Sequence, residues 1–444
     1  MESEQLFYSI LPKVVRANQK QELTIKPLFE HVFFKEDTEY EISVVPLEHL
    51  MPEGKATPCS FDRQEVAAIY GKATAKPQGG ALRFSWFFSG EQEHLIYVHE
   101  VGNESEVIGP FHVYSLCADL FDRFPFKGDL HMHSCRSDGK EAPGYVAACS
   151  RRIGLDFMAL TDHGQYRPSL EAQGAFDLNK LGLKVFPGEE VHAPENPVHI
   201  INFGGKFSVN DLFRGANDAQ YRKEVGALEQ KLPPVPEGVD RYQNAACVWV
   251  FNKIRESGGL GIFCHPYWQI PSGYSPSVRL TDYLFETQPF DAFEVIGGYY
   301  RHQAESNALQ VARYHEERAR GRRIPIVGVT DAHGCEGGEL FGWYYTIVFS
   351  PSTEASDLIA SIKDLYSVAV EAMPGEFPRI HGPLRLVKFA YFALRELFTQ
   401  HDELSREEGL LMLEHLKGDA SAQDKIVTIK DKTGQSVTGF WAEK

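Results

Sequence analysis

Between residues 23 and 116 apolar and polar positions alternate over short runs, as in ELTIKPLF, YEISVVPL, ALRFSWFF and HLIYVHEV. Gly, Pro, Asn and charged residues separate these runs. Alternation with a period of two between turn residues is typical of strands with one buried face. The pattern predicts an all-β, sandwich-like domain over residues 1–125. Trp86, Phe87 and Phe88 are expected in its core, because aromatic residues dominate sandwich interiors.

After residue 126 the pattern changes, because apolar runs now alternate with helix-length amphipathic segments. This alternation favours βαβ units in a parallel sheet or barrel. The predicted strands cover residues 128–133, 155–162, 184–191, 198–203, 260–264, 292–296, 326–330 and 343–349. The predicted helices cover residues 144–152, 242–257, 304–321 and 353–365. Residues 220–241, which contain three prolines, are interpreted as an excursion from the barrel, either a lid or an edge loop.

The C-terminal part continues with apolar residues at helical spacing over residues 384–398, which predicts a helix packed on the barrel. The fold class is therefore α/β, with three parts. An N-terminal β-rich domain covers residues 1–125, a barrel covers 126–380, and a mostly helical extension covers 381–444.

Composition and charge narrow the function classes. Apolar residues make up 43% and charged residues 24% of the 444 residues, which is typical of globular proteins. The net charge of −16 would repel a polyanion, so no polymeric nucleic acid is expected as a partner. No membrane-spanning run or leader is recognised, which favours a cytoplasmic protein without a membrane partner. The oligomeric state is left open.

The cysteines do not indicate a disulfide framework or a zinc ribbon, because their number is odd and no CxxC spacing occurs. They are expected to be reduced, small packing residues. Two of them, Cys135 and Cys264, come close to the candidate site in sequence. The full set is Cys59, Cys117, Cys135, Cys149, Cys247, Cys264 and Cys335.

Several predicted strands end in residues that bind metals. In GDLHMHS, His131 and His133 are two apart on a predicted strand, so their side chains leave the same face. The turn SDG then places Asp138 at the mouth of that strand. Further strand ends carry these polar residues: Thr161, Asp162, His163, Glu189, Glu190, His265, Asp331 and His333.

The carboxyl ends of parallel strands are where α/β proteins place their active sites. Histidine and carboxylate side chains without paired thiols suit Zn²⁺, Mn²⁺ or Fe ions. The candidates outnumber the ligands of one tetrahedral centre, so the pattern predicts a site with more than one metal ion.

Taken together, the ordered strings HMH, SDG, TDH, G-x-E, HP and DAH resemble the polymerase and histidinol phosphatase (PHP) family of metal-dependent phosphoesterases over residues 126–380. The resemblance implies a distorted barrel of about seven β/α units that holds two or three divalent ions, and hydrolysis of phosphoesters. It implies the metal ligands His131, His133, Asp138, His163, Glu190, His199, His265, Asp331 and His333.

Two of these assignments have competitors. Glu190 rather than Glu189 fits G-x-E, whose carboxylate is expected to bridge two ions. The ninth ligand is assigned to His199 from the motif context VHIINFG, while His192 is also possible because it shares the strand face of Glu190.

The predicted reaction is hydrolysis of a small phosphorylated metabolite or nucleotide by metal-activated water, with Asp331 as a possible proton acceptor. Candidate phosphate-binding cations are Arg136, Lys140, Arg167 and Arg301, and Tyr299 and Tyr300 could stack a base. The sequence does not assign any of them to the substrate.

Two other functions stay open. One is an amidohydrolase-like enzyme acting on a non-phosphate bond, which would also use HxH, later histidines and an aspartate. SDG and TDH close behind HMH argue against it, as does the lack of a carboxylated-lysine candidate where Glu190 stands. The other is a metal-binding module without catalysis, acting through the β-rich domain.

Overall fold

A computed structural model of the chain describes residues 4–48, 70–337 and 340–443. The chain folds as two compact units. The first unit contains Met1–Arg123, Tyr391–Gln400 and Gly434–Lys444, and the second contains Phe124–Ala390 and His401–Thr433. The C-terminal residues, predicted as one helical extension, thus contribute to both units.

In its described residues, the first unit has eight strands in two sheets. One sheet has the order β1-β3-β6 and the other has the order β2-β8-β7-β4-β5. The strands are β1 (Tyr8–Leu11), β2 (Val14–Arg16), β3 (Gln19–Pro27), β4 (Tyr40–Pro46), β5 (Lys72–Ala75), β6 (Leu82–Phe88), β7 (Gln92–Glu100) and β8 (Asn103–Leu116).

The period of two seen in the sequence decides which residues of this unit are buried. Ile96 and Val98 of β7 are buried, and so is Phe88 of β6. Phe87 is 57% exposed, because neighbouring positions of a strand face opposite sides of the sheet. The prediction that this whole aromatic run lies in the core is therefore wrong for Phe87.

The second unit contains a six-stranded sheet of order β11-β10-β9-β19-β20-β21, a five-stranded sheet of order β12-β13-β14-β17-β18, and the hairpin β15-β16. Its strands are β9 (Phe124–Asp129), β10 (Phe157–Ala159), β11 (Lys184–Phe186), β12 (Gly188–Val191), β13 (Ile200–Phe203), β14 (Leu260–Phe263), β15 (Trp268–Ile270), β16 (Gly273–Ser275), β17 (Ala292–Ile296), β18 (Ile326–Gly328), β19 (Tyr344–Ser350), β20 (Ser367–Glu371) and β21 (Arg379–His381).

Pro187 divides the strand that the sequence predicts over residues 184–191. β11 before it pairs in parallel with β10, whereas β12 after it pairs antiparallel with β13 in the other sheet. Proline lacks the N–H that a continuous ladder needs. The unit is therefore a mixed α/β structure with curled sheets and several antiparallel pairs, not a regular ring of parallel strands among the described residues.

The predicted strands end earlier than the polar residues suggest. β9 ends at Asp129, so His131 and His133 lie beyond the strand and not on it. The segment is still extended, because Met132 forms a parallel bridge with Ala332. The His133 N–H donates to the Ala332 carbonyl (2.9 Å), and the Asp331 N–H donates to the His131 carbonyl (2.8 Å). The two ligand-rich segments are thereby held side by side.

The helices predicted from the sequence are present, and others, among them Arg167–Gly174 and Val278–Thr287, were not predicted. Part of residues 220–241, interpreted as an excursion from the barrel, belongs to the helix Asp218–Lys231, whose Tyr221 packs edge-on against Trp249 (4.9 Å). The alternatives of a lid or an edge loop are wrong for this part, because the helix buries Tyr221 and Val225 in the core. The α-helices are Ala118–Phe121, Pro143–Arg152, Arg167–Gly174, Asp218–Lys231, Arg241–Glu256, Val278–Thr287, Ala304–Ala319, Ala355–Lys363, Leu384–Glu396, Phe398–Leu416 and Ala422–Gly439.

A buried ionic network lies within the second unit; we call it the Arg151 network. It consists of Arg151, Asp156, His401 and Glu408. Arg151 donates to Glu408 (2.7 Å) and to Asp156 (3.3 Å). His401 contacts Asp156 through Nε2 (2.7 Å). The network ties the helix Phe398–Leu416 to residues near β10.

Within the described ranges, no helix is long and apolar enough to cross a membrane.

Candidate metal centre

All nine predicted ligands lie in one connected group. Most of them follow the carboxyl end of a strand, whereas Glu190 lies within β12 and His199 comes directly before β13. Glu190 lies at its centre and is completely buried. Its carboxylate is 2.6 Å from His163 Nδ1, 2.7 Å from His199 Nδ1, and 3.5 Å from the Nε2 atoms of His131, His133 and His265. Whether each residue binds a metal stays a prediction, but their spatial convergence is a property of the fold.

Asp138 and Asp331 connect the remaining members. Asp331 Oδ1 is 3.1 Å from His131 Nε2 and 2.8 Å from His133 Nε2. Asp138 Oδ2 is 3.4 Å from His163 Nε2 and 3.3 Å from His333 Nε2.

Among the described residues, five overlapping groups of side chains have ligand atoms close enough to share an ion. They are His133, Asp138, His163 and His333; His131, Glu190 and His265; His131, His133 and Asp331; His163, Glu190 and His192; and His131, Cys264 and Glu294. Because the groups share members, the arrangement suits more than one divalent ion.

The buried polar atoms of this group are better placed to coordinate a metal ion than to hydrogen-bond one another. Several of them have no hydrogen-bond partner among the described residues, although opposite charges lie nearby: His131 Nε2, both nitrogens of His133, both carboxylate oxygens of Glu190, His199 Nδ1 and Asp331 Oδ1. An unpartnered buried polar atom is costly. Coordination would satisfy these atoms, and nitrogen with carboxylate oxygen is a suitable donor set for Zn²⁺, Mn²⁺ or Fe.

The carboxylates of this group are held ionised. Burial alone would raise the pKa of Glu190, but His199 and His131 hold it well below its usual range. Burial likewise opposes ionisation of Asp331, whereas His131 and His133 lower its pKa. Burial lowers the pKa of His199 to about 4. Against the effect of burial, the neighbouring carboxylates raise the pKa values of three other imidazoles: His131, His163 and His265. Because ionised carboxylates and neutral imidazoles are the forms that bind metals, a bound cation would displace the protons of these three imidazoles.

Groups outside the predicted set orient two of the histidines. His131 Nδ1 lies 3.2 Å from Glu294, which is completely buried, and His333 Nδ1 lies 2.8 Å from the Asp331 carbonyl. In each case Nδ1–H can donate a hydrogen bond to the oxygen, which leaves Nε2 free to bind a metal. Carboxylates and backbone carbonyls commonly orient metal-binding histidines in this way. Sequence reasoning missed Glu294, although a lone carboxylate inside the apolar strand AFEVI was a usable signal.

Asp162 of the TDH string shapes the loop that carries Asp138. Its carboxylate accepts hydrogen bonds from Ser134 N (3.0 Å) and Oγ (2.9 Å), and from Ser137 N (3.0 Å) and Oγ (2.7 Å). It is a positioning residue for the SDG turn.

Glu189 and Glu190 have opposite surroundings. Glu189 accepts hydrogen bonds from Asn202 (3.0 Å), Ser208 (2.8 Å) and Asn210 (2.8 Å), outside the ligand group. The structure thus places Glu190 at the site and Glu189 in a separate polar pocket.

His192 and His199 both lie beside Glu190, with ring centroids 4.0 Å apart. His199 contacts the carboxylate directly at 2.7 Å and is mostly buried, whereas His192 is 3.7 Å from it and 2.9 Å from His163 Nδ1. The direct contact supports His199, and the grouping of His192 with His163 and Glu190 keeps both in the site.

Asp331 has a left-handed backbone conformation, with φ of 52°. This conformation is sterically unfavourable for most side chains and clusters at functional positions. In this conformation the backbone N–H of Asp331 donates a hydrogen bond to the His131 carbonyl.

A cavity of about 240 Å³ opens over the ligands. Besides Asp138, Asp331 and several of the histidines, it is lined by Trp268, Gly298, Tyr300, Gln303 and Leu340. Two predicted phosphate-binding cations are paired elsewhere: Arg136 with Glu171 (2.6 Å) and Arg301 with Glu376 (3.0 Å).

Tyr299 is buried and hydrogen-bonded to Gln310 (3.2 Å), so it is a core residue and does not line the cavity.

The six described cysteines are free; Cys264 is buried beside His131, Cys135 is exposed, and Cys59 lies outside the described residues.

Comparisons with known proteins agree with the motifs. No family model matches the chain. Over 69 residues, 16% of this chain, it is 39% identical to the DNA polymerase/3'-5' exonuclease PolX of Bacillus subtilis, of which it spans 11%. Over 188 residues it is 25% identical to an uncharacterised protein of Methanocaldococcus jannaschii, covering 39% of this chain and 84% of that one.

Among solved structures, a two-domain protein of Bacteroides vulgatus containing a predicted PHP-like metal-dependent phosphoesterase matches 56% of this chain and 65% of its own, with TM-score 0.40 and 18% identity. The chain resembles PHP-like proteins. The resemblance drawn from the motifs is thus confirmed. An amidohydrolase of Chromobacterium violaceum, solved with sulfate and no metal, is also similar, with TM-score 0.30 and 18% identity over 48% of this chain and 89% of that one.

Proposed function

We propose that this PHP-like chain is a metal-dependent phosphoesterase that hydrolyses a small phosphorylated metabolite or nucleotide. The observation that carries the proposal is the group of buried histidine and carboxylate atoms without hydrogen-bond partners around Glu190. Two or three divalent ions, Zn²⁺, Mn²⁺ or Fe, would be held by the nine residues in a distorted (β/α)7 barrel. Bound there, they would supply positive charge to phosphate oxygens and activate water near neutral pH.

The protein's own side chains supply the rest of the reaction. Asp331, held ionised beside His131 and His133, can accept a proton from the attacking water. As the new bond between water and phosphorus forms, the bond from phosphorus to the leaving alcohol breaks. The cavity of about 240 Å³ is smaller than typical sites for drug-sized ligands. Its size favours a small molecule over polymeric nucleic acid.

Metal analysis followed by an activity screen tests the proposal. The screen covers phosphomonoesters, phosphodiesters and nucleotides, with lactams and carboxylic esters for comparison, and His131→Ala and Asp331→Ala as controls. We expect phosphoester turnover that a chelator abolishes and both variants lose. Turnover of lactams or esters alone would instead favour the amidohydrolase-like alternative. Metal retention without any turnover would favour a binding module.

A further inference from the structure

An exposed tryptophan stands over the ligand group. Trp268 is 38% exposed and lines the cavity. Its ring centroid lies 6.1 Å from those of both His199 and His265. Tryptophan is usually highly buried, so an exposed indole beside two predicted ligands needs an explanation in ligand binding or in packing.

The backbone of Trp268 is held in place independently of any ligand. Trp268 begins the hairpin β15-β16, in which it pairs with Ser275, and its backbone N–H donates to the His265 carbonyl (3.1 Å). The next residue, Gln269, donates to Glu305 of the helix Ala304–Ala319 (2.8 Å). Because the backbone is already ordered, only the indole has to be ordered when a flat group binds, which lowers the cost of binding.

The other residues that line the cavity indicate the chemical character of the flat group that would bind beside Trp268. Tyr300 and Leu340 contribute further apolar surface. Among the described residues that line the cavity there is no lysine or arginine. The part of the substrate that lies beyond the phosphate is therefore not recognised as an anion, and an uncharged ring matches the indole face better than a polyhydroxylated chain does.

We propose that the site selects phosphoesters whose leaving group carries an uncharged aromatic or heteroaromatic ring, stacked on Trp268. This inference rests on the proposed function, because the ester phosphate must lie among the ligands. Trp268 acts on binding and takes no part in the bond-breaking step.

The experiment compares two ligands that differ in ring planarity. Benzylphosphonate and cyclohexylmethylphosphonate are non-hydrolysable, similar in size and equally charged. Their dissociation constants are measured by calorimetry on the metal-loaded full chain. Benzyl phosphate and cyclohexylmethyl phosphate, whose leaving alcohols have similar reactivity, are the matched substrates.

We expect the protein to bind the benzyl compound more tightly by about 5- to 150-fold, the range that one stacked ring gives. Trp268→Leu keeps apolar volume but removes the aromatic face, and should abolish the preference through KM and not kcat. Trp268→Phe should retain much of it. Phe87→Ala, which removes an exposed aromatic side chain from the first unit, should change nothing.

The outcomes separate this inference from the proposed function. Equal affinity for the two phosphonates, no binding of either, or a preference that survives Trp268→Leu would overturn the ring subsite. Turnover of phosphoesters without a ring preference would leave the proposed function intact. A Trp268-dependent ring preference without turnover of any phosphoester would support the subsite and contradict the proposed function.

Discussion

The second unit contains two buried clusters of charged side chains, and they differ in how their polar atoms are satisfied. In the Arg151 network both carboxylate oxygens of Glu408 accept hydrogen bonds, one from Arg151 and one from the Gly182 N–H. Both ring nitrogens of His401 have carboxylate partners. Around Glu190, by contrast, the buried atoms lack hydrogen-bond partners among the described residues.

This difference indicates different roles. A buried charged group that is fully paired holds the fold together, because removing one partner leaves the other uncompensated. A buried group of converging but unpaired ligands is costly for the protein alone, and a bound cation would satisfy it. The comparison therefore predicts that substitutions in the two clusters affect stability and metal binding in opposite ways.

The largest effect is expected for Glu190→Gln, which removes the charge at the centre of the ligand group. Loss of several kcal/mol of transition-state stabilisation corresponds to about 10³-fold in kcat. Metal content should fall with it, whereas the Tm of the metal-free protein should fall less than it does for Glu189→Gln, because the Glu190 carboxylate loses its attraction to nearby histidines but no hydrogen bond. Metal analysis, kinetics and thermal unfolding after chelation measure the three quantities.

Glu189→Gln is the matched control for this prediction, since Glu189 is adjacent in sequence and equally buried but hydrogen-bonded. It should lower the Tm of the metal-free protein. A drop in Tm for Glu190→Gln as large as that for Glu189→Gln would contradict the distinction between the clusters.

The next largest effect is expected for Glu408→Gln. Arg151 would remain buried with only the more distant Asp156 as a carboxylate partner, so the cost is at most about 3–5 kcal/mol of folding free energy, the value for breaking a buried ion pair. Metal content and kcat should stay at the wild-type values, because the network contains no predicted ligand. Thermal unfolding with metal analysis tests this, and unchanged stability together with lost metal would show that the network belongs to the site.

A smaller effect is expected for Glu294→Gln. The amide keeps the volume of Glu294 but weakens the bond that orients His131, which should reduce metal affinity or activity by about 10- to 100-fold. Metal titration measures the affinity, and Glu294→Asp shows whether the position of the carboxylate matters. Unaltered metal affinity in both variants would exclude an orienting role.

The smallest effect is a pH dependence of the Arg151 network. Burial alone would lower the pKa of His401, but Asp156 and Asp402 raise it above its usual 6.5. The stability that His401 contributes to the fold is complete below pH 6.5 and is lost as the pH rises through its raised pKa. For Asp156 the direction is opposite, because its pKa is lowered to about 2. The stability that Asp156 contributes is complete above its usual pKa of 3.8 and is lost as the pH falls through about 2.

Thermal unfolding of the metal-free protein at about pH 6 and about pH 9 tests the His401 contribution. Each kcal/mol should shift Tm by about 1–2 °C in a protein of this size. In His401→Gln the difference between the two pH values should shrink. If it persists unchanged, another group carries the pH dependence.

The sequence predicted which residues converge around Glu190, because they are chemically distinctive and occur near strand ends; their binding of metal stays a prediction. His131, Glu190 and Asp331 could be recognised from short strings alone. The lone carboxylate of Glu294 within AFEVI is visible in the sequence, but its contact with His131 is not, because the two residues are 163 positions apart. The same is true of Arg151 and Glu408, which are 257 residues apart.

The fold was predicted less completely than the site. The apolar pattern located most strands of the second unit but could not show that Pro187 sends the two halves of one predicted strand into different sheets. It also missed β20 and β21, because strands of five and three residues carry little periodicity. Local patterns report burial, whereas sheet membership depends on distant partners.

The left-handed conformation of Asp331 has an evolutionary consequence. A residue held at φ of 52° favours Gly, Asn or Asp on steric grounds, yet of these only Asp supplies the charge that this position offers to a metal or a proton. Variants selected for thermostability alone should therefore accept Gly or Asn at this position and lose catalysis. Asp331 is a point at which stability and activity trade off.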